Sequence, residues 1–166
     1  NAPTGAVAPE KFLRELAEFS KNNELVLVFD NAYSEFTFDG YVAPSILQYC
    51  DNAVEFHSLS KTFCMTGDRV GFAVGNPEII AGLKKVKGNI DSGCPTYIQR
   101  AAVTALESYK NSSRPPEVEA NMLEYSERRD LLLKGLAEID LPTPKPKATF
   151  YVWANISQTG FSDLQF

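Results

Sequence analysis

The 166-residue chain is poor in several residue types that carry specific chemistry. It has one histidine, His57, and three cysteines, Cys50, Cys64 and Cys94, which stand far apart with no CxxC pair. An odd, scattered set of thiols without histidine companions supports neither a disulfide framework nor a zinc site. No run of lysine and arginine occurs and the net charge is −5. That argues against nucleic acid and anionic membrane as partners, because both need concentrated positive charge. No apolar run reaches the roughly 20 residues of a membrane-crossing helix, and the opening residues NAPTGAVAPEKF lack the basic and apolar regions of a signal peptide. A cytoplasmic protein is the expectation. Repeats and low-complexity segments are also missing.

What remains is an ordinary globular composition, 44% apolar and 22% charged. A chain of this length can bury roughly two thirds of its unfolded surface, which suits one domain or one and a fraction. Helix and strand signals alternate along it. After Pro9, the residues Phe12, Leu13, Leu16, Ala17 and Phe19 recur at helical spacing. The run Glu24-Leu-Val-Leu-Val-Phe-Asp30 is continuously apolar and ends in a carboxylate, the pattern of a parallel strand buried on both faces. Two further strands are expected over Ala53–Ser58 and Arg69–Gly75, and helices over Pro77–Lys87 and from Pro95 to about Lys110.

The segment SSRPP ending at Pro116 breaks the pattern. A long charged helix is expected from Glu117 to Glu138, without the sustained heptads of a coiled coil. A proline-rich connector from Leu141 to Lys147 then leads into a strand with aromatic β formers, Thr149–Asn155. The expected division is residues 1–116 as one α/β unit, 117–140 as a connecting helix and 141–166 as the start of a second, α+β unit.

Chemistry belongs at the carboxyl ends of the parallel strands, where an open α/β sheet holds its ligand crevice. Asp30 ends one strand, with Tyr33 just after it. The segment SLSKTFCMTGDR, from Ser58 to Arg69, follows another. A lysine amine condenses with an aldehyde, and a carboxylate can keep a pyridine nitrogen protonated so that the ring withdraws electrons. Lys61 and Asp30 suit those tasks. Ser58, Ser60 and Arg69 are a phosphate-binding set, since a guanidinium gives two parallel bonds to phosphate oxygens. Tyr33 could tune a neighbouring ring hydroxyl.

The series Pro3-Thr-Gly5, Asp30-Asn-Ala-Tyr33, Ser58-Leu-Ser-Lys61 and Gly67-Asp-Arg69-Val-Gly71 resembles the ordered motifs of the fold-type I, class I/II pyridoxal-phosphate aminotransferases. The texture is most similar to the LL-diaminopimelate aminotransferase-like and the alanine or aspartate aminotransferase-like groups. The resemblance covers the whole chain. It implies a mainly parallel central sheet belonging to the large domain, followed by the start of the small carboxy-terminal domain. It implies pyridoxal 5'-phosphate as cofactor, held as a Schiff base on Lys61. Asp30 would pair with the pyridine nitrogen, Tyr33 with the ring hydroxyl, and Ser58, Ser60 and Arg69 with the phosphate. The implied substrates are an amino acid and a 2-oxo acid, and the full-length parent would be a homodimer.

In one place the chain departs from the family pattern. The family has asparagine directly before Pro-Thr-Gly, whereas here Ala2 takes that position and Asn1 is displaced by one residue, so Asn1 is the weakest cofactor-binding candidate. The family's upstream phosphate loop and stacking aromatic are not found in this sequence, nor is its later carboxylate-binding arginine. The chain therefore reads as an internal piece, expected to be inactive and prone to self-association when isolated. His57, Cys64 and Cys94 read as packed or structural residues. A carbon–sulfur β-lyase shares these motifs, and so does the aminotransferase-like sensing domain of a transcriptional regulator, and both stay open as alternatives.

Overall fold

A computed structural model describes residues 1–166, in the order α1 (Glu10–Asn22), β1 (Leu27–Asp30), β2 (Ala53–Ser58), α2 (Leu59–Thr62), β3 (Gly71–Gly75), α3 (Pro77–Ile90), α4 (Thr96–Glu107) and α5 (Pro116–Glu138). Helix α1 forms because its apolar residues fall on one face. Leu13 and Ala17 are buried against Ile46, Cys50 and Ala53, while Arg14 pairs with Glu10 one turn back on the exposed side. Asn76 caps α3 by accepting from the backbone N–H groups of Glu78 and Ile79, with Pro77 in the first turn. No helix is long and apolar enough to cross a membrane.

The strands form one sheet in the order β1-β2-β3. Strands β1 and β2 are parallel, with Asp30 level with Phe56. Strand β3 returns antiparallel to β2, setting Gly71 opposite Ser58, so only one of the two strand pairs is parallel. Two glycines permit this close return. A Cβ at Gly71 would lie 2.4 Å from the carbonyl oxygen of His57, and one at Gly75 would lie 2.3 Å from that of Ala53. Backbone cannot yield at such distances.

The apolar core is divided. One cluster joins α1 to the sheet and is flanked by Leu27 and Phe29 of β1. The other joins Phe36 and Phe38 to Val118 and Met122 of α5. Strand β1 was expected to be buried on both faces, but Val28 is 66% exposed, so only the face towards α1 is covered.

Residues Thr149–Asn155 do not form the expected strand. Pairing is confined to one antiparallel bridge between Thr37 and Ala148, with the N–H of Phe38 donating to the Lys147 carbonyl and that of Thr149 to the Phe36 carbonyl. Thr149 then takes a positive φ of 68°, which turns the chain out of the extended region. The aromatic side chains that suggested a strand pack as a cluster instead. Helix α5 holds this crossing from outside through the buried Arg129, whose guanidinium donates to both carboxylate oxygens of Asp39 and to the Pro146 carbonyl.

Candidate active site

Strand register decides which side chains meet. Asp30 ends β1 level with Phe56, and the N–H of Asn31 continues the ladder by donating to the Phe56 carbonyl. Ser58 ends β2 two residues further on, and the chain turns at once into α2, which carries Ser60 and Lys61. The antiparallel return of β3 brings Arg69 to the same edge, because Gly71 faces Ser58 and the N–H of Leu59 donates to the Val70 carbonyl. A carboxylate, two hydroxyls, an amine and a guanidinium therefore share one end of the sheet, the carboxyl end of its parallel pair.

Their local settings differ. Asp30 is exposed and accepts one hydrogen bond, from the N–H of Ala32. It lines a cavity of about 360 Å³ together with Asn1, Asn31 and Tyr33. Ser58 caps α2, accepting from the N–H of Ser60, while Ser60 itself is buried. Arg69 is exposed, holds a positive φ of 54° and donates from Nη1 to the Thr66 carbonyl. A left-handed backbone costs a non-glycine residue about 1–2 kcal/mol. Such strain gathers at functional sites.

Asn1 lines the same cavity as Asp30 and Tyr33, although its amide oxygen accepts from Thr4 Oγ1. Lys61 and Arg69 do not line that cavity. The Lys61 amine lies instead 5.9 Å from the Tyr33 ring centre and 5.8 Å from that of Phe150. It forms no ion pair.

Two features near the site were missed in the sequence. Phe150 and Tyr151, read there as strand formers, close on Tyr33, whose hydroxyl donates to the Tyr151 hydroxyl at 3.2 Å. Burial first, and the contact with Tyr151 second, push the Tyr33 phenol well above the usual tyrosine range.

The second is Glu55, 2% exposed, which accepts from the Ile46 N–H at 2.6 Å and meets His57 Nε2 at 3.0 Å. Burial alone would raise its pKa. Hydrogen bonds from His57, Ser45 and Ile46 outweigh that and hold it below the usual carboxylate range. His57 stacks on Phe72, and its Nδ1 lies 3.4 Å from Ser34 Oγ. It is a packed, satisfied residue, as expected. Of the cysteines, Cys50 is buried in the α1 cluster, Cys64 is exposed and Cys94 is half-buried; all are free thiols.

The family described as aminotransferase class I and II matches residues 1–166. The chain belongs to that family. It is 45% identical over its whole length to LL-diaminopimelate aminotransferase 2 of Trichormus variabilis, covering 42% of that protein, and 44% identical to the LL-diaminopimelate aminotransferase of Halothermothrix orenii, again covering 42%.

Among solved structures, substrate-bound BacF from Bacillus subtillis superposes with a TM-score of 0.87 at 38% identity, over 100% of this chain and 42% of that one. N-succinyldiaminopimelate aminotransferase from Mycobacterium tuberculosis superposes with a TM-score of 0.88 at 27% identity, over 99% and 42%. The chain thus spans about 42% of the length of the curated relatives it matches. These likenesses place its α/β sheet in the large domain of the fold-type I aminotransferases.

Proposed function

We propose that the protein transfers an amino group between an amino acid and a 2-oxo acid, with pyridoxal 5'-phosphate held on Lys61. The observation that carries this reading is the meeting of Asp30, Ser58, Ser60, Lys61 and Arg69 at one sheet edge in a member of this family. The donor set suits the cofactor. Lys61 is an amine without an ion-pair partner, Asp30 is a carboxylate with one backbone donor, and Arg69 spends only one guanidinium donor on Thr66. When bound, the cofactor would supply an aldehyde for the amino group and a pyridine ring that draws electrons from the substrate α-carbon.

The protein's own residues would divide the remaining work. Lys61 would hold the cofactor, and its amine would take the substrate α-carbon proton as general base and return it as general acid. Asp30 sets a negative charge against the pyridine nitrogen and keeps it protonated. Ser58, Ser60 and Arg69 bind the phosphate, Tyr33 bonds the ring hydroxyl, and Asn1 extends the wall beside Asp30.

Relatives named LL-diaminopimelate aminotransferase make LL-diaminopimelate the first amino donor to assay. We further propose that the intact protein works as a homodimer in the cytoplasm, a compartment that suits three free thiols. The test is borohydride reduction of the intact protein loaded with pyridoxal 5'-phosphate, followed by peptide mass spectrometry. A reduced cofactor adduct on Lys61 is expected. An adduct confined to another lysine, or none, would overturn the reading.

A further inference from the structure

Beside Lys61, two side chains from a distant part of the chain complete the surroundings of the amine and of Tyr33. We propose that Phe150 and Tyr151 are positioning residues, Phe150 for the Lys61 amine and Tyr151 for the Tyr33 hydroxyl, an inference that rests on Lys61 being the cofactor anchor. Three observations support it.

First, the Lys61 amine lies to one side of two neighbouring rings, at 5.9 Å from the Tyr33 centre and 5.8 Å from that of Phe150. Both distances fall near the outer limit of about 6 Å at which an aromatic face attracts a cation. No carboxylate pairs with it, so these two rings are the groups that favour its charge. Second, the Tyr33 hydroxyl donates to that of Tyr151, 118 residues away in sequence. The rings of Tyr33, Phe150 and Tyr151 meet edge-on or tilted, with centroids 4.7 to 6.0 Å apart, in the range of favourable aromatic pairs.

Third, the placement is built into the backbone. The bridge of Thr37 with Ala148 sits between two hydrogen bonds, Phe38 to Lys147 and Thr149 to Phe36. This short ladder ties the segment just after Tyr33 to the segment just before Phe150. A slip of one residue would move Phe150 and Tyr151 by about 3.3 Å relative to Tyr33. Arg129 secures the register by bonding Asp39 on one side and Pro146 on the other.

The charged groups facing Tyr33 are Asp30 from β1 and Lys61 from α2. Removing the Tyr151 hydroxyl takes away the acceptor of the Tyr33 proton, and with it a contribution that opposes ionisation of Tyr33. Replacing Phe150 by an aliphatic side chain takes away one of the two rings beside the amine. Either change leaves the Thr37–Ala148 ladder intact.

The test uses the intact protein and four variants, Tyr33→Phe, Tyr151→Phe, Phe150→Leu and Phe150→Tyr. Titration of tyrosinate absorbance without cofactor isolates the Tyr33 phenol as the difference between wild type and Tyr33→Phe. In Tyr151→Phe, that phenol should ionise at lower pH than in wild type. An unchanged or higher midpoint would overturn the role of Tyr151.

In parallel, the rate at which pyridoxal 5'-phosphate becomes reducible onto Lys61 should fall severalfold in Phe150→Leu and recover in Phe150→Tyr. Equal rates in wild type and Phe150→Leu would overturn the role of Phe150 while leaving Lys61 as the anchor. No adduct on Lys61 in wild type would sink both the anchor reading and the role of Phe150, with the phenol titration still deciding Tyr151.

Discussion

At the scale of single residues, the environment of Asp30 contrasts with that of Glu55. Glu55 is buried and fully engaged, by a backbone N–H and by His57, whereas Asp30 is exposed with one backbone contact. A carboxylate already satisfied by the protein holds the fold together, and one left open has capacity for a ligand. Asp30→Asn in the intact protein should therefore keep the cofactor bound and lower turnover by about 10²–10³-fold, the usual effect of losing one placed electrostatic stabiliser. Cofactor absorbance measured beside steady-state rates checks this, and near-normal turnover would remove Asp30 from the mechanism. Asp30, Ser58, Lys61 and Arg69 were legible in the sequence because each sits within a few residues of a strand end with an unmistakable apolar pattern. Phe150, Tyr151 and Glu55 were not, because what they do depends on partners supplied by tertiary packing.

At the scale of elements, helices α1 and α3 were legible from local periodicity and from the prolines and asparagines at their ends, and α5 from the proline break before a long charged run. Strand β2 was legible too. The direction of β3 was not, since a run such as GFAVG is compatible with either orientation until the turn through α2 is known. Strand signals at Thr149–Asn155 misled because aromatic residues favour strands only where a neighbouring strand is available. Here α5 takes that place, stapled through Arg129 to Asp39 and through Asp130 to Lys145 at 3.1 Å, with Arg129 also bonding Asp130 beside it.

Hydrogen bonds from Arg129 hold both carboxyls below their usual range, outweighing the partial burial that would raise them. The stability they contribute is present above the unfolded carboxylate pKa and is lost as pH falls through the lowered folded values. Arg129→Met should destabilise the fold by about 2 kcal/mol, less than for a fully buried pair because Asp39 is half exposed and regains water. It should also flatten the acid limb of a plot of Tm against pH. Thermal melts of both proteins across the acid range test this, and superimposed curves would show that the staple contributes nothing.

For the whole molecule, the accessible surface is 11339 Å² at 18.4 kDa, against about 8,200 Å² for a compact monomer of that mass. The excess is partly apolar. Val28 on the open face of β1, Ile90 at the end of α3 and Leu164 near the last residue are 66%, 72% and 95% exposed. Strand β1 also presents an unpaired edge, since β2 is its sole neighbour in the sheet, and open edges recruit other chains. The 166-residue chain by itself should therefore self-associate at micromolar concentration. Sedimentation velocity gives the answer, and a sharp monomer boundary across a concentration series would contradict it.

The short ladder at Thr37 and Ala148 also sets a schedule. Tyr33 and Tyr151 are 118 residues apart, so on a ribosome adding about 5–20 residues per second the first waits roughly 6 to 24 s for the second to be made. For most of that interval Lys61 has been synthesised and α2 can form, yet Phe150 and Tyr151 do not exist. The Lys61 amine of a nascent chain therefore stands without Phe150 beside it, and that contact belongs among the late events of folding.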